Sequence, residues 1–97
     1  MYELNIRTVP TVIDGCKSEL LQIIDGWTVF EATGMWKGTE ENSVHFTTVT
    51  DDLDAVTAVK NIVNFEAWKQ GEESIMFNVV EKQWTFTNLE KFTAPIK

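Results

Sequence analysis

Polar and apolar residues alternate from the first stretch of the chain. In YELNIRTV, Tyr2, Leu4 and Ile6 interleave with Glu3, Asn5 and Arg7, the period of two that predicts a strand with one buried face. Pro10 ends that strand or opens the next turn. In CKSELLQIID the period lengthens, and Cys16, Leu20, Ile23 and Ile24 fall on one side of a helix. That helix is expected from residue 11 or 15 to residue 25, with Thr11 or Asp14 as its cap and Gly26 as its stop. WTVFEATGMW is rich in β-branched and aromatic residues and predicts a strand. KGTEEN, punctuated by Gly38 and Asn42, is the expected turn, and SVHFTTVT returns from it, so 27–50 reads as a hairpin. In TDDLDAVTAVKNIVNFEAW, Leu53, Val56, Val59, Ile62 and Val63 line one helical face. Thr50 or Asp51 can cap this helix, Asp52 and Asp54 suit its positive end, and Gly71 breaks it. SIMFNVV is a strand, EK a tight turn and QWTFTN a further strand, and Pro95 prevents an ordinary helix in the tail LEKFTAPIK.

The order is strand, helix, strand, strand, helix, strand, with an extra C-terminal strand. This is the split βαβ plan, an α+β ferredoxin-like βαββαβ sheet, in one domain over 1–97 without repeats or linkers. Two helices cover one sheet face. The strands nevertheless carry large apolar residues in both registers, Trp27 and Val29 against Phe30, and Ile75 and Phe77 against Met76. A sheet apolar on both faces asks for cover on both, and with only two helices the second cover is expected to be another subunit.

Charge and cysteine content narrow the function. The 97 residues carry a formal net charge of −7, which opposes nucleic-acid binding and anionic membrane surfaces. It suits a cationic ligand or a basic partner, and equally serves solubility alone. Cys16 is the single cysteine, so no intrachain disulfide or cysteine-rich metal site can form, and on an apolar helix face it reads as core. No stretch resembles a signal peptide or a membrane span, so the expected location is cytoplasmic.

Most catalytic signatures are missing. There is no phosphate-binding glycine loop, and His45 is the only histidine, which leaves no zinc motif and no expected metal or cofactor. Ser43 lies two residues before His45 on the same strand face, a weak signal for a triad. What remains are two carboxylate pairs, Glu40-Glu41 and Glu72-Glu73, each before a strand. They read as solvated loop edges that need not converge, or Glu41, at the first pleat of its strand, points into a cleft where it holds an ammonium group or takes a proton. Trp36 lies on the same hairpin. Beside Glu41 it makes a cage for an organic cation, worth ~0.5–2 kcal/mol in the ring contact; alternatively it packs at a subunit boundary.

The run TGMWKGTEE, Thr33 and Gly34 followed by an aromatic, a basic residue and an acidic turn, resembles the phage-encoded S-adenosylmethionine (SAM) lyases, formerly called SAM hydrolases. The helix LDAVTAVKNIV and the strand EESIMFNVV follow in the same order, so the likeness spans 27–80. It implies a PII-like homo-trimer with SAM held between subunits and cleaved to methylthioadenosine and homoserine lactone. In that chemistry the substrate's own carboxylate attacks the carbon beside the sulfonium, so positioning replaces a protein nucleophile. By motif position the family glutamate, which holds the substrate's amino group, falls on Glu41, with Glu40 the alternative if the turn slips by one. Thr33, Gly34 and Trp36 would line the substrate. The family's aromatic residue is usually tyrosine; Trp36 offers an N–H donor but no phenol oxygen. The segment before the hairpin and the turn itself are also shorter here.

Three readings follow: a SAM lyase; a PII-like module that binds a small ligand without turnover; and a protein that binds a host partner or mimics DNA charge. The acidic residues cluster at helix starts and turns rather than at regular surface intervals, which ranks DNA mimicry last.

Overall fold

The computed structural model describes residues 1–83. Within them the chain forms β1 (Tyr2–Thr8), α1 (Pro10–Gly15), α2 (Lys17–Leu20), β2 (Thr28–Trp36), β3 (Thr39–Thr50), α3 (Leu53–Lys69) and β4 (Met76–Glu81). The four strands make one sheet in the order β2-β3-β1-β4, with every neighbouring pair antiparallel. This is the expected ferredoxin-like order. The further strand expected in QWTFTN lies, apart from Gln83, outside the described residues, as does the tail.

Alternation sorts β1 as the sequence predicts. Leu4, Ile6 and Thr8 are buried, opposite Thr48, Phe46 and Val44 of β3. With Val12, Cys16, Leu20, Val59 and Val63 they form the core between sheet and helices. The other register, Glu3, Asn5 and Arg7 with Thr47 and His45, faces away from the helices, and nothing among the described residues covers it. Phe30 and Met76 lie in this register and are 59% and 63% exposed. Among the described residues no helix is long and apolar enough to cross a membrane.

Local details depart from expectation where backbone geometry overrides side-chain spacing. The first helix is two short pieces. Pro10 starts α1, since its fixed φ suits a first helical position, and the helix ends at Gly15. A Cβ on Gly15 would stand 2.8 Å from the carboxyl carbon of Glu66, so close packing on α3 fixes that residue. The chain resumes as α2, ends it at Leu20 and proceeds by turns; Gly26 stops no helix, and Ile23 is 40% exposed rather than core. The α3 cap is Asp52, whose Oδ1 accepts from the Asp54 N–H at 2.9 Å, while Thr50 Oγ1 accepts from the Asp52 N–H at 3.1 Å. Leu53, expected on the apolar face, is instead exposed in the first turn. Farther along, Phe65 and Trp68 stack on the exposed side of α3 with ring centres 5.8 Å apart.

A polar clamp joins the helices. Glu66 is buried and accepts from Gln70 Nε2 at 2.8 Å, with Lys69 Nζ at 3.2 Å. Gln70 Nε2 also donates to the Thr11 carbonyl at 2.9 Å. The Gln70 hydrogen bond, and then the one from Lys69, hold the Glu66 carboxyl below its ordinary value of 4.5. A carboxylate with a depressed folded-state pKa stabilises the fold above its unfolded value and loses that contribution as pH falls through the folded value. Urea midpoints measured between about pH 5 and pH 3 should therefore fall more steeply for the wild type than for Glu66→Gln; equal slopes would remove Glu66 from the acid response. Cys16 behaves oppositely. Burial first, then the charges of Glu66 and Glu19, push its thiol up to about 11, and its Sγ donates to the Val12 carbonyl at 3.2 Å. Iodoacetamide at about pH 8 should label Cys16 in urea and leave it unlabelled in the folded protein, because the thiolate is the reactive form.

Candidate functional site

β3 is longer than β1. Their pairing ends at Thr8 opposite Val44, so the first part of β3 pairs with β2 alone and forms a hairpin arm beyond the helical layer. The turn at its tip is shorter than expected. Only Lys37 and Gly38 lie between the strands, with φ of 50° and 78°, the two positive values of a two-residue type I′ hairpin turn. Glu40, Glu41 and Asn42, expected in the turn, are strand residues.

This register decides which candidates share a face. Gly34 stands opposite Glu41 and Trp36 opposite Thr39. Trp36, Gly34 and Glu41 therefore lie on the face that carries Ser43 and His45, with Trp36 diagonal to Glu41. The direct partner of Glu41 is a glycine, so β2 places no side chain directly opposite the carboxylate. Glu40 pairs with Met35 and Thr33 with Asn42, so both project from the other face.

A cleft of about 510 Å³ opens along this arm, within the ~300–1,000 Å³ usual for small-molecule sites. Its walls include Trp36, Gly34, Thr33 and Glu41 from the arm, Ser43 and His45 farther down β3, and Arg7 at the end of β1. Glu40 is absent from its lining. The opposite wall is Glu72, Glu73, Ser74 and Met76, so Glu41, though not Glu40, lines the same cleft as the second carboxylate pair. The cause is the end of α3. The Glu72 N–H donates to the Ala67 carbonyl at 3.0 Å and the Gly71 N–H to the Trp68 carbonyl at 3.1 Å. These are the paired bonds of a Schellman motif, with Gly71 at φ 81° in the left-handed region. The motif turns the chain back toward β4 and sets the acidic pair beside the arm. Lys37 then joins arm and loop, its Nζ 3.1 Å from Glu73 Oε2.

The chemistry available is recognition of positive charge. Glu41 and Glu72 make no ion pair or side-chain hydrogen bond among the described residues, and Arg7 is the cation of the lining. Ser43 and His45 both line the cleft, yet no hydrogen bond joins them, and His45 lies instead against Phe30 with ring centres 6.5 Å apart. Among the described residues no cluster of three or more histidine, cysteine or acidic side chains is arranged to hold a metal ion. Sequence reasoning missed Arg7, Glu72, Glu73, Lys37 and Met76 as neighbours of this cleft. The available signal was Gly71 directly before Glu72-Glu73, together with the central place that the split βαβ plan gives β1.

No protein-family model and no curated protein sequence matches the chain. Solved structures do. A phage SAM lyase in complex with S-methyl-5′-thioadenosine superposes with a TM-score of 0.64 at 14% identity, over 82% of this chain and 80% of that one. The PII-like protein CutA from Nostoc sp. PCC 7120 in apo form gives 0.62 at 16%, over 86% and 82%. A phage SAM lyase in its apo state gives 0.59 at 13%, over 88% and 92%. At these identities the likeness establishes the fold: an α+β ferredoxin-like domain of the PII-like kind.

Proposed function

We propose that this cleft binds S-adenosylmethionine and that the protein is a SAM lyase. The observation that carries the reading is the shared face of Trp36, Gly34 and Glu41 along one acidic cleft, in a fold like that of a phage SAM lyase complexed with S-methyl-5′-thioadenosine. Glu41 would hold the substrate's ammonium group through a charge-assisted hydrogen bond. Trp36 would give its ring face to the cationic part of the ligand. Thr33, from the other face, would contribute backbone to the wall.

The reaction needs little else from the protein. The substrate carboxylate oxygen bonds to the carbon beside the sulfonium, the carbon–sulfur bond breaks, and its electron pair neutralises the sulfur. Methylthioadenosine leaves neutral and homoserine lactone keeps the ammonium charge, so the net charge of +1 is conserved and no water is consumed. Holding the amino-acid arm in the ring-forming pose is the main contribution, and orientation of this kind supplies large rate factors. The sheet face left uncovered among the described residues, with Phe30 and Met76 exposed there, supports an oligomer, a trimer on this reading, in which a second subunit completes the cleft. The cytoplasm, where SAM is made and used, is the fitting location.

A second reading has one observation in its favour. Trp36 stands where the resemblance expects tyrosine, and an indole N–H cannot replace a phenol oxygen as acceptor. On that reading the protein binds the ligand without turnover, as a PII-like module.

Incubation of the purified protein with SAM, followed by chromatography, separates the two. The lyase reading expects methylthioadenosine and homoserine lactone from the wild type and a loss of about a hundredfold in Glu41→Gln, the size of loss that a misplacement of about 1 Å in the reacting arrangement causes. Intact SAM with the wild type would leave binding alone.

A further inference from the structure

The sequence suggests a cage of Trp36 and Glu41 for a cation. In the structure the cation resting against Trp36 belongs to the chain itself. Lys37 Nζ stands 5.7 Å from the centre of the Trp36 ring and 3.3 and 3.1 Å from the two carboxylate oxygens of Glu73. An aromatic face and a carboxylate converge on one ammonium at the rim of the cleft, and Trp36 and Glu73 both line that cleft.

Neither the turn nor fold stability explains the lysine. Lys37 is the first central residue of a type I′ turn with φ 50°, a position that favours Asn, Asp or Gly. Its ion pair is exposed, with side chains at 67% and 64% of their full accessibility, and such pairs add little to stability. The ammonium therefore remains largely hydrated and free to exchange. Lysine is also a weak competitor for an aromatic face: its charge is compact and strongly hydrated, whereas alkylated ammonium and sulfonium groups are the cations that aromatic cages hold well.

We propose that Trp36 and Glu73 form a cation subsite at the mouth of the cleft, that Lys37 fills it when no ligand is bound, and that an alkylated ammonium or sulfonium ligand displaces Lys37. This rests on the reading that a cationic ligand enters the cleft; it adds Glu73 to the binding residues and makes Lys37 an internal competitor. Ligand then binds only the fraction of molecules whose subsite is vacant, and the apparent dissociation constant rises by the reciprocal of that fraction.

The test is a titration of the full-length protein with trimethylsulfonium chloride, tetramethylammonium chloride and, separately, SAM, at fixed ionic strength, following the Trp36 indole N–H by NMR. Lys37→Asn keeps a residue suited to the turn and frees the subsite; it should tighten sulfonium binding about three- to tenfold, as expected if Lys37 fills the subsite for most of the time. Glu73→Gln should weaken binding by a similar factor. Lys17→Asn removes the same charge from a distant exposed site and should change nothing, which separates local displacement from a general charge effect. In a Trp36→Leu background, followed through the backbone N–H of Gly34 in the cleft wall, the gain from Lys37→Asn should vanish. The proposal is overturned if Lys37→Asn and Glu73→Gln shift affinity in the same direction, which would make the pair a clasp for the arm. Unchanged affinity in both, or an equal gain in Lys17→Asn, overturns it as well. Simple cations are not turned over, so the two readings fail separately. Cation binding with this pattern but no methylthioadenosine from SAM sinks the lyase reading alone, whereas methylthioadenosine formation without the affinity pattern sinks the displacement alone.

Discussion

The pleat of β3 ties the site to the core. Val44, Phe46 and Thr48 point into the helical layer and are buried, while the intervening Ser43 and His45, and Glu41 beyond them, lie on the opposite face and line the cleft beside the arm. Successive side chains on a strand must alternate, so a slip of one residue would bring Phe46 out of the core and carry Glu41 off the face that it shares with Trp36 and Gly34. Burial of Phe46 against Leu4 and Ile6 thus fixes the direction of a carboxylate five residues away. The same strand also runs past the end of β1, which frees its first residues to form an arm rather than a filled core.

Like charges gather on that arm at modest cost because they remain near water, where interactions between exposed charges are weak and screened. Three glutamates border the cleft, and of these only Glu73 has an ion-pair partner among the described residues, Lys37. Such an arrangement favours an incoming positive charge without forcing any carboxylate into a dry environment. It also fits chemistry in which the ligand supplies its own nucleophile and the protein supplies a pose. The thiol of Cys16, buried and raised to about 11, takes no part on this view.

Periodicity made much of the fold legible. YELNIRTV announced its buried face, the run of Val56, Val59 and Val63 announced α3, and the element order implied the sheet order found. The first helix was less legible because its apolar spacing is regular while its backbone is interrupted at Gly15, where Glu66, fifty-one residues later, leaves no room for a side chain. The hairpin turn was misjudged for a related reason: Glu40 and Glu41 have turn-like polarity, yet the positive φ values at Lys37 and Gly38 complete the reversal in two residues. The pairing of Trp36 and Glu41 on one face could be inferred once a hairpin was assumed. The meeting of Glu41 with Glu72 and Glu73 could not, because it depends on a Schellman turn and on a contact between Lys37 and Glu73 across thirty-six residues.

The most direct test of the account is a crystal structure of the protein with S-methyl-5′-thioadenosine. The nucleoside is expected in the arm cleft, between Trp36 and Gly34 on one side and Glu72 and Glu73 on the other, with Glu41 free to meet the departing amino-acid arm. A nucleoside seated elsewhere, for example against Phe65 and Trp68 on α3, or an empty cleft at saturating ligand, would contradict it.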